Sequence, residues 1–66
     1  MRIMVNGNAM DVEEGLSLQR LLERLEIRRE YTAVALNREV APRASYGRTL
    51  LRDGDRVEIV HPMGGG

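Results

Sequence analysis

Apolar and polar positions alternate over residues 1–6, with Met1, Ile3 and Val5 on one side and Arg2, Met4 and Asn6 on the other. A period of two predicts a half-buried strand. Asn6 and Gly7 follow, a pair that accepts positive φ at both central positions of a tight hairpin turn. The chain returns as a second strand over residues 9–12, with Met10 and Val12 inward, until Glu13, Glu14 and Gly15 open a loop. From Leu18 the period changes. Leu18, Leu21, Leu22 and Leu25 fall at i, i+3, i+4 and i+7, one face of a helix, and Ser17 stands where an N-cap is needed. Gln19, Arg20, Glu23, Arg24 and Glu26 take the opposite face, and the helix is predicted to end between Leu25 and Arg28.

Residues 33–37 are short, apolar and flanked by polar positions, which predicts a third strand. Residues 38–40 continue after a turn as a brief edge strand that Pro42 stops. No period organises residues 43–48 beyond a helical turn around Ala44, Ser45 and Tyr46. Leu50 and Leu51 are expected to return the chain to the core. Asp53, Gly54 and Asp55 make a tight turn before a last strand over residues 56–60, with Val57 and Ile59 inward and Glu58 and Val60 outward. The expected core is Ile3, Val5, Val12, Leu18, Leu21, Leu22, Leu25, Leu36, Val57 and Ile59. One amphipathic helix across a mixed sheet of about four to five strands is an α+β arrangement. The order of its elements is that of a ubiquitin-like β-grasp.

Composition narrows the chemistry. Sixty-six residues suffice for one domain, predicted as residues 1–60, followed by a flexible tail of residues 61–66. Ten basic and ten acidic residues cancel, which removes the electrostatic case for nucleic acid or an anionic membrane. Tyr31 and Tyr46 are the only aromatic residues, too few and too far apart for a base-stacking platform. There is no cysteine and a single histidine, His61, so no metal site is expected. No apolar run reaches the length of a membrane span, and the chain reads as cytoplasmic. Ser17, Ser45 and His61 do not make a hydrolase; residue types without placement are not a triad.

The distinctive feature is the ending. His61, Pro62 and Met63 lead from the last strand into Gly64, Gly65 and Gly66. Pro62 fixes its own φ and biases His61 toward extended backbone, so the tail is expected to project outward. Fully extended, its six residues reach roughly 20 Å. Glycine has no Cβ, so Gly64, Gly65 and Gly66 could thread a channel that other residues would block. All ten basic residues are arginine. With neither lysine nor cysteine, an activated carboxyl terminus would meet no strong side-chain nucleophile on its own domain.

Several segments together carry a resemblance. They are Asn6 and Gly7, residues 34–37 (Val-Ala-Leu-Asn), residues 40–43 (Val-Ala-Pro-Arg), residues 51–60, and the ending of residues 61–66. In that order they cover nearly the whole chain, which resembles the ThiS-type sulfur carriers of thiamine biosynthesis. The resemblance implies a carrier and not an enzyme. An E1-like adenylating enzyme of the ThiF type would use ATP and magnesium to activate the carboxylate of Gly66. A cysteine desulfurase system would supply sulfur to make a thiocarboxylate, and a thiazole synthase of the ThiG type would consume it. No cofactor is expected on this chain itself. The small subunit of molybdopterin synthase and a lysine-conjugated protein modifier are the alternatives on the same fold. Met4 and Val60 point outward from neighbouring strands and are expected to meet in an apolar docking patch that Met63 extends.

Overall fold

A computed structural model describes residues 1–60, Arg29 by its main chain alone. The tail and its expected roles for Met63, Gly64, Gly65 and Gly66 lie outside the described residues. Strands β1 (Arg2–Val5) and β2 (Asn8–Asp11) form the predicted hairpin. They pair in register from Arg2 opposite Asp11 to Val5 opposite Asn8. Asn6 (φ 50°) and Gly7 (φ 84°) make the turn with two positive φ angles that their sequence predicts. Helix α1 (Leu18–Arg24) follows, then a 3-10 turn (Arg29–Tyr31), β3 (Ala33–Leu36), β4 (Glu39–Val40), a 3-10 segment (Arg43–Arg48) and β5 (Arg56–Val60).

The sheet order is β2-β1-β5-β3-β4, so the last strand of the chain is the middle strand of the sheet. It runs parallel to β1 and antiparallel to β3. Two parallel strands cannot be joined by a hairpin. Here α1 and the β3–β4 pair occupy the chain between them.

The helix is held at both ends. The Ser17 hydroxyl accepts the Arg20 amide at 3.1 Å, the predicted N-cap. At the other end Leu25 caps and Glu26 turns left-handed (φ 59°). The Glu26 amide then reaches the Glu23 carbonyl and the Ile27 amide reaches that of Leu22. This is a Schellman closure with glutamate where glycine is usual. It explains why Glu26 is not on the helix, as the pattern suggested, but one residue past its C-cap.

Between helix and sheet lie Ile3, Leu18, Leu21, Leu22, Val34 and Val57, each almost wholly buried. Burying side chains of this kind contributes about 1.5–3 kcal/mol each. Val5, Leu25 and Leu36 pack against that core but are only partly buried. Tyr46 and Leu16 are buried beyond expectation, and Leu51 returns to the core as predicted. Tyr46 enters because residues 43–48 coil as a 3-10 segment that lies next to α1. Leu50 is exposed, contrary to expectation. It bridges Ser17 as extended chain, so adjacent side chains point opposite ways and only Leu51 turns inward.

Arg24, on the outer face of α1, pairs outside its own helix. Arg24 donates through both terminal nitrogens to the two carboxylate oxygens of Glu13, at 2.8 and 2.6 Å. These hydrogen bonds, with a backbone hydrogen bond and the charge of Arg24, lower the Glu13 pKa to about 2. The folded state therefore binds this proton less readily than the unfolded chain does. The pair's stabilisation is complete above the unfolded glutamate pKa of about 4.3 and disappears as pH falls through about 2. Both side chains face solvent, so the effect on total stability is small. Carbon-detected NMR should show Glu13 titrating near pH 2. In Arg24→Gln its midpoint should return to about 4; an unchanged midpoint would contradict the pairing.

Candidate functional site

The part of the molecule that prepares the terminus is β5, because residues 61–66 follow directly from its last residue. Within β5 the side chains alternate as predicted: Val57 and Ile59 are buried while Arg56, Glu58 and Val60 are exposed. The main chain is held from both flanks. On the β3 side, Ala33 pairs with Val60, Val34 with Ile59, Ala35 with Glu58 and Leu36 with Val57. On the β1 side, Met4 pairs with Arg56 and Val5 with Val57.

Two asparagines at positive φ extend this ladder. Asn37 (φ 52°) donates its amide to the Arg56 carbonyl at 2.8 Å. Its side-chain oxygen accepts the Arg56 amide at 2.9 Å, and its Nδ2 donates to Asp55 at 3.0 Å. Asn6 donates its amide to the Val57 carbonyl at 2.9 Å and accepts the Ile59 amide on Oδ1 at 2.8 Å. Both residues directly follow a strand, and both place a side-chain carbonyl where a strand carbonyl would otherwise be required. Asparagine suits such positions because it tolerates left-handed backbone and carries an amide of its own. The turn signal accounts for only one of the roles of Asn6, and no local pattern marks the bonds of Asn37.

On the outer sheet face, Met4 and Val60 do not meet. Register sets Met4 beside Arg56 at the start of β5, whereas Val60 ends it. The four residue steps along the strand from Arg56 to Val60 amount to about 13 Å. Met4 lines a shallow cleft with Gly7, Arg38, Arg56 and Glu58, a charged setting. Val60 stands beside Ala33, and the next register positions bring Ala35 and Val40 onto the same face. Val60 and Val40 are 58% and 79% exposed, so the apolar ground next to the tail belongs to β3, β4 and β5. Pairing between strands distant in sequence sets this arrangement, and alternation within one strand cannot supply it. Strand β3 also hid its outward face, since Ala33, Val34, Ala35 and Leu36 are apolar throughout.

Both serine hydroxyls make local hydrogen bonds to the main chain. Ser17 caps α1, and the Ser45 hydroxyl donates to the Pro42 carbonyl at 2.9 Å. Among the described residues no group of three or more acidic, histidine or cysteine side chains could hold a metal ion. Nor, among them, is any helix long and apolar enough to cross a membrane.

A middle strand running parallel to the first and one helix on one face define a ubiquitin-like β-grasp protein. The chain belongs to the ThiS family, whose pattern it matches over residues 3–66. A crystal structure of a thiamine biosynthesis protein (ThiS) from Geobacter metallireducens is 40% identical and superimposes with a TM-score of 0.87, covering all of both chains. The sulfur carrier protein ThiS of Escherichia coli (strain K12) is 32% identical over the full length of both chains. A thiazole synthase from Magnetococcus marinus is 39% identical over all of this chain, which spans only 20% of that protein's length.

Replacing Asn37 separates its two roles. Asn37→Ala loses the side-chain bonds and keeps the unfavourable φ, and should lower unfolding free energy by about 1–3 kcal/mol. Asn37→Gly loses the bonds but accepts the backbone, and should cost less than Asn37→Ala in urea titrations. Equal loss in both variants would contradict a contribution from the left-handed backbone.

Proposed function

We propose that this chain carries sulfur for thiazole formation in thiamine biosynthesis, with the Gly66 carboxylate as its reacting group. The observation that supports this reading most is the family match, which extends through the last strand to Gly66 itself. The protein is then a substrate and carrier rather than a catalyst.

The chemistry starts from a poor electrophile. A carboxylate resists attack through resonance and negative charge, so it must first gain a leaving group. An E1-like adenylating enzyme would supply one with ATP and magnesium. A Gly66 carboxylate oxygen attacks the α-phosphorus, pyrophosphate departs, and a mixed anhydride with AMP forms. A sulfur nucleophile from a cysteine desulfurase system then attacks the acyl carbon and expels AMP. With the sulfur delivered as a persulfide, this attack leaves an acyl disulfide, which a thiolate cleaves to the thiocarboxylate and a mixed disulfide. A thiazole synthase takes the sulfur onward, a pairing favoured by the likeness to proteins of that name.

Gly65, and Gly64 before it, provide slim backbone for the approach of Gly66 to a confined active site. Docking is assigned to the apolar outer face around Val60, with Ala33, Ala35 and Val40 beside it and Met63 following in sequence. Met4 would contribute only from the charged end of that face.

Deleting Gly66, or replacing Gly65 with tryptophan, should abolish AMP transfer by the adenylating enzyme while circular dichroism remains that of the folded domain. Val60→Asp should weaken the complex about tenfold, as expected for a charge set into an apolar contact. AMP transfer retained without Gly66 would overturn the reading.

A further inference from the structure

The geometry points to Asn6 as a positioning residue that aims the carboxyl-terminal tail by extending β5's ladder past the end of β1. This inference rests on the carrier reading, because it concerns how the reacting terminus is presented. Strand β1 stops at Val5, opposite Val57, while β5 continues to Val60. By the same register the residue opposite Glu58 is Asn6, but there the chain is already in the hairpin turn, at φ 50°. In a parallel ladder such a residue donates its amide to one neighbour and accepts from the residue two further on. Asn6 does both. Its main-chain amide donates to the Val57 carbonyl, and Oδ1 takes the Ile59 amide in place of the carbonyl that the turn diverts.

Ile59 is the last residue of β5 seen to be held from the β1 side, and it stands two positions before His61. From the other side Ala33 holds Val60. The root of the tail is thus gripped on both flanks, by a strand on one and by a single side chain on the other. Releasing the Asn6 grip leaves Val57 buried and β1 paired, but lets the last residues of β5 pivot about the β3 edge. Each residue freed must be ordered again when the terminus enters a partner, a cost that falls on binding rather than on the chemical step.

Asn6→Gly keeps the positive φ and removes only the acceptor, whereas Asn6→Asp retains an oxygen for the Ile59 amide. In Asn6→Gly the Ile59 amide should exchange with solvent at least about tenfold faster, while the amides of Val34 and Val57 keep their protection. With the adenylating enzyme, KM for this variant should rise about tenfold at nearly constant kcat, and Asn6→Asp should restore it. An amide-to-ester replacement at residue 59, made by semisynthesis, deletes the donor and leaves the turn intact. It should reproduce the KM rise even if Asn6→Gly does not fold. Unaltered Ile59 exchange, or faster exchange with unaltered KM, would overturn the inference while the carrier reading stands. Failure of the unmodified protein to accept AMP would overturn the carrier reading and this inference with it.

Discussion

Everything in this domain depends on the hydrogen-bond ladder that holds β5 in the middle of the sheet. The strand lies last in the sequence, yet it joins the two halves of the fold, the β1–β2 hairpin and the β3–β4 pair. Its inward residues Val57 and Ile59 sit beneath α1 in the common core, so the strand cannot leave without opening that core. Unpaired main-chain groups in such a position would be costly to bury. Asn37 at one end of the strand and Asn6 toward the other complete the pairing where the neighbouring strands turn away.

For a carrier, this arrangement divides labour sensibly. Strand β5 ends at Val60, and on the carrier reading the reacting segment follows it directly in sequence, so recognition and reaction fall to different parts of the chain. The apolar ground around Val60 lies on the face opposite the helix, and among the described residues Val60 and Val40 are exposed there. The absence of lysine and cysteine from the sequence means that an activated terminus encounters no competing side-chain amine or thiol on its own domain. A small protein can serve several enzymes this way, because each needs to grip only the handle and receive the end.

Much of this was legible in the residue pattern, for definite reasons. The hairpin followed from alternation around Asn6 and Gly7, and α1 from four leucines at helical spacing behind a serine cap. Strand β5 followed from Val57 and Ile59. Local signals of period and turn chemistry were enough for each of these. What escaped was non-local. The offset of β1 against β5 separates Met4 from Val60, and no property of either strand alone encodes it. Tyr46 sits in an aperiodic stretch, so its burial depends on where the 3-10 segment meets α1. Arg24 finds Glu13 across the loop rather than a helical neighbour, again through tertiary placement. Asn6 could be recognised as a turn residue, but its second bond requires knowing that Ile59 lies alongside.

Intact-protein mass spectrometry tests the central claim most directly: the carrier is incubated with ATP, magnesium, an adenylating enzyme of the family and a sulfur source. The account predicts a mass change equal to one sulfur in place of one oxygen, with fragmentation assigning it to the terminal peptide at Gly66. An unchanged mass, or a change assigned anywhere but that terminus, would contradict it.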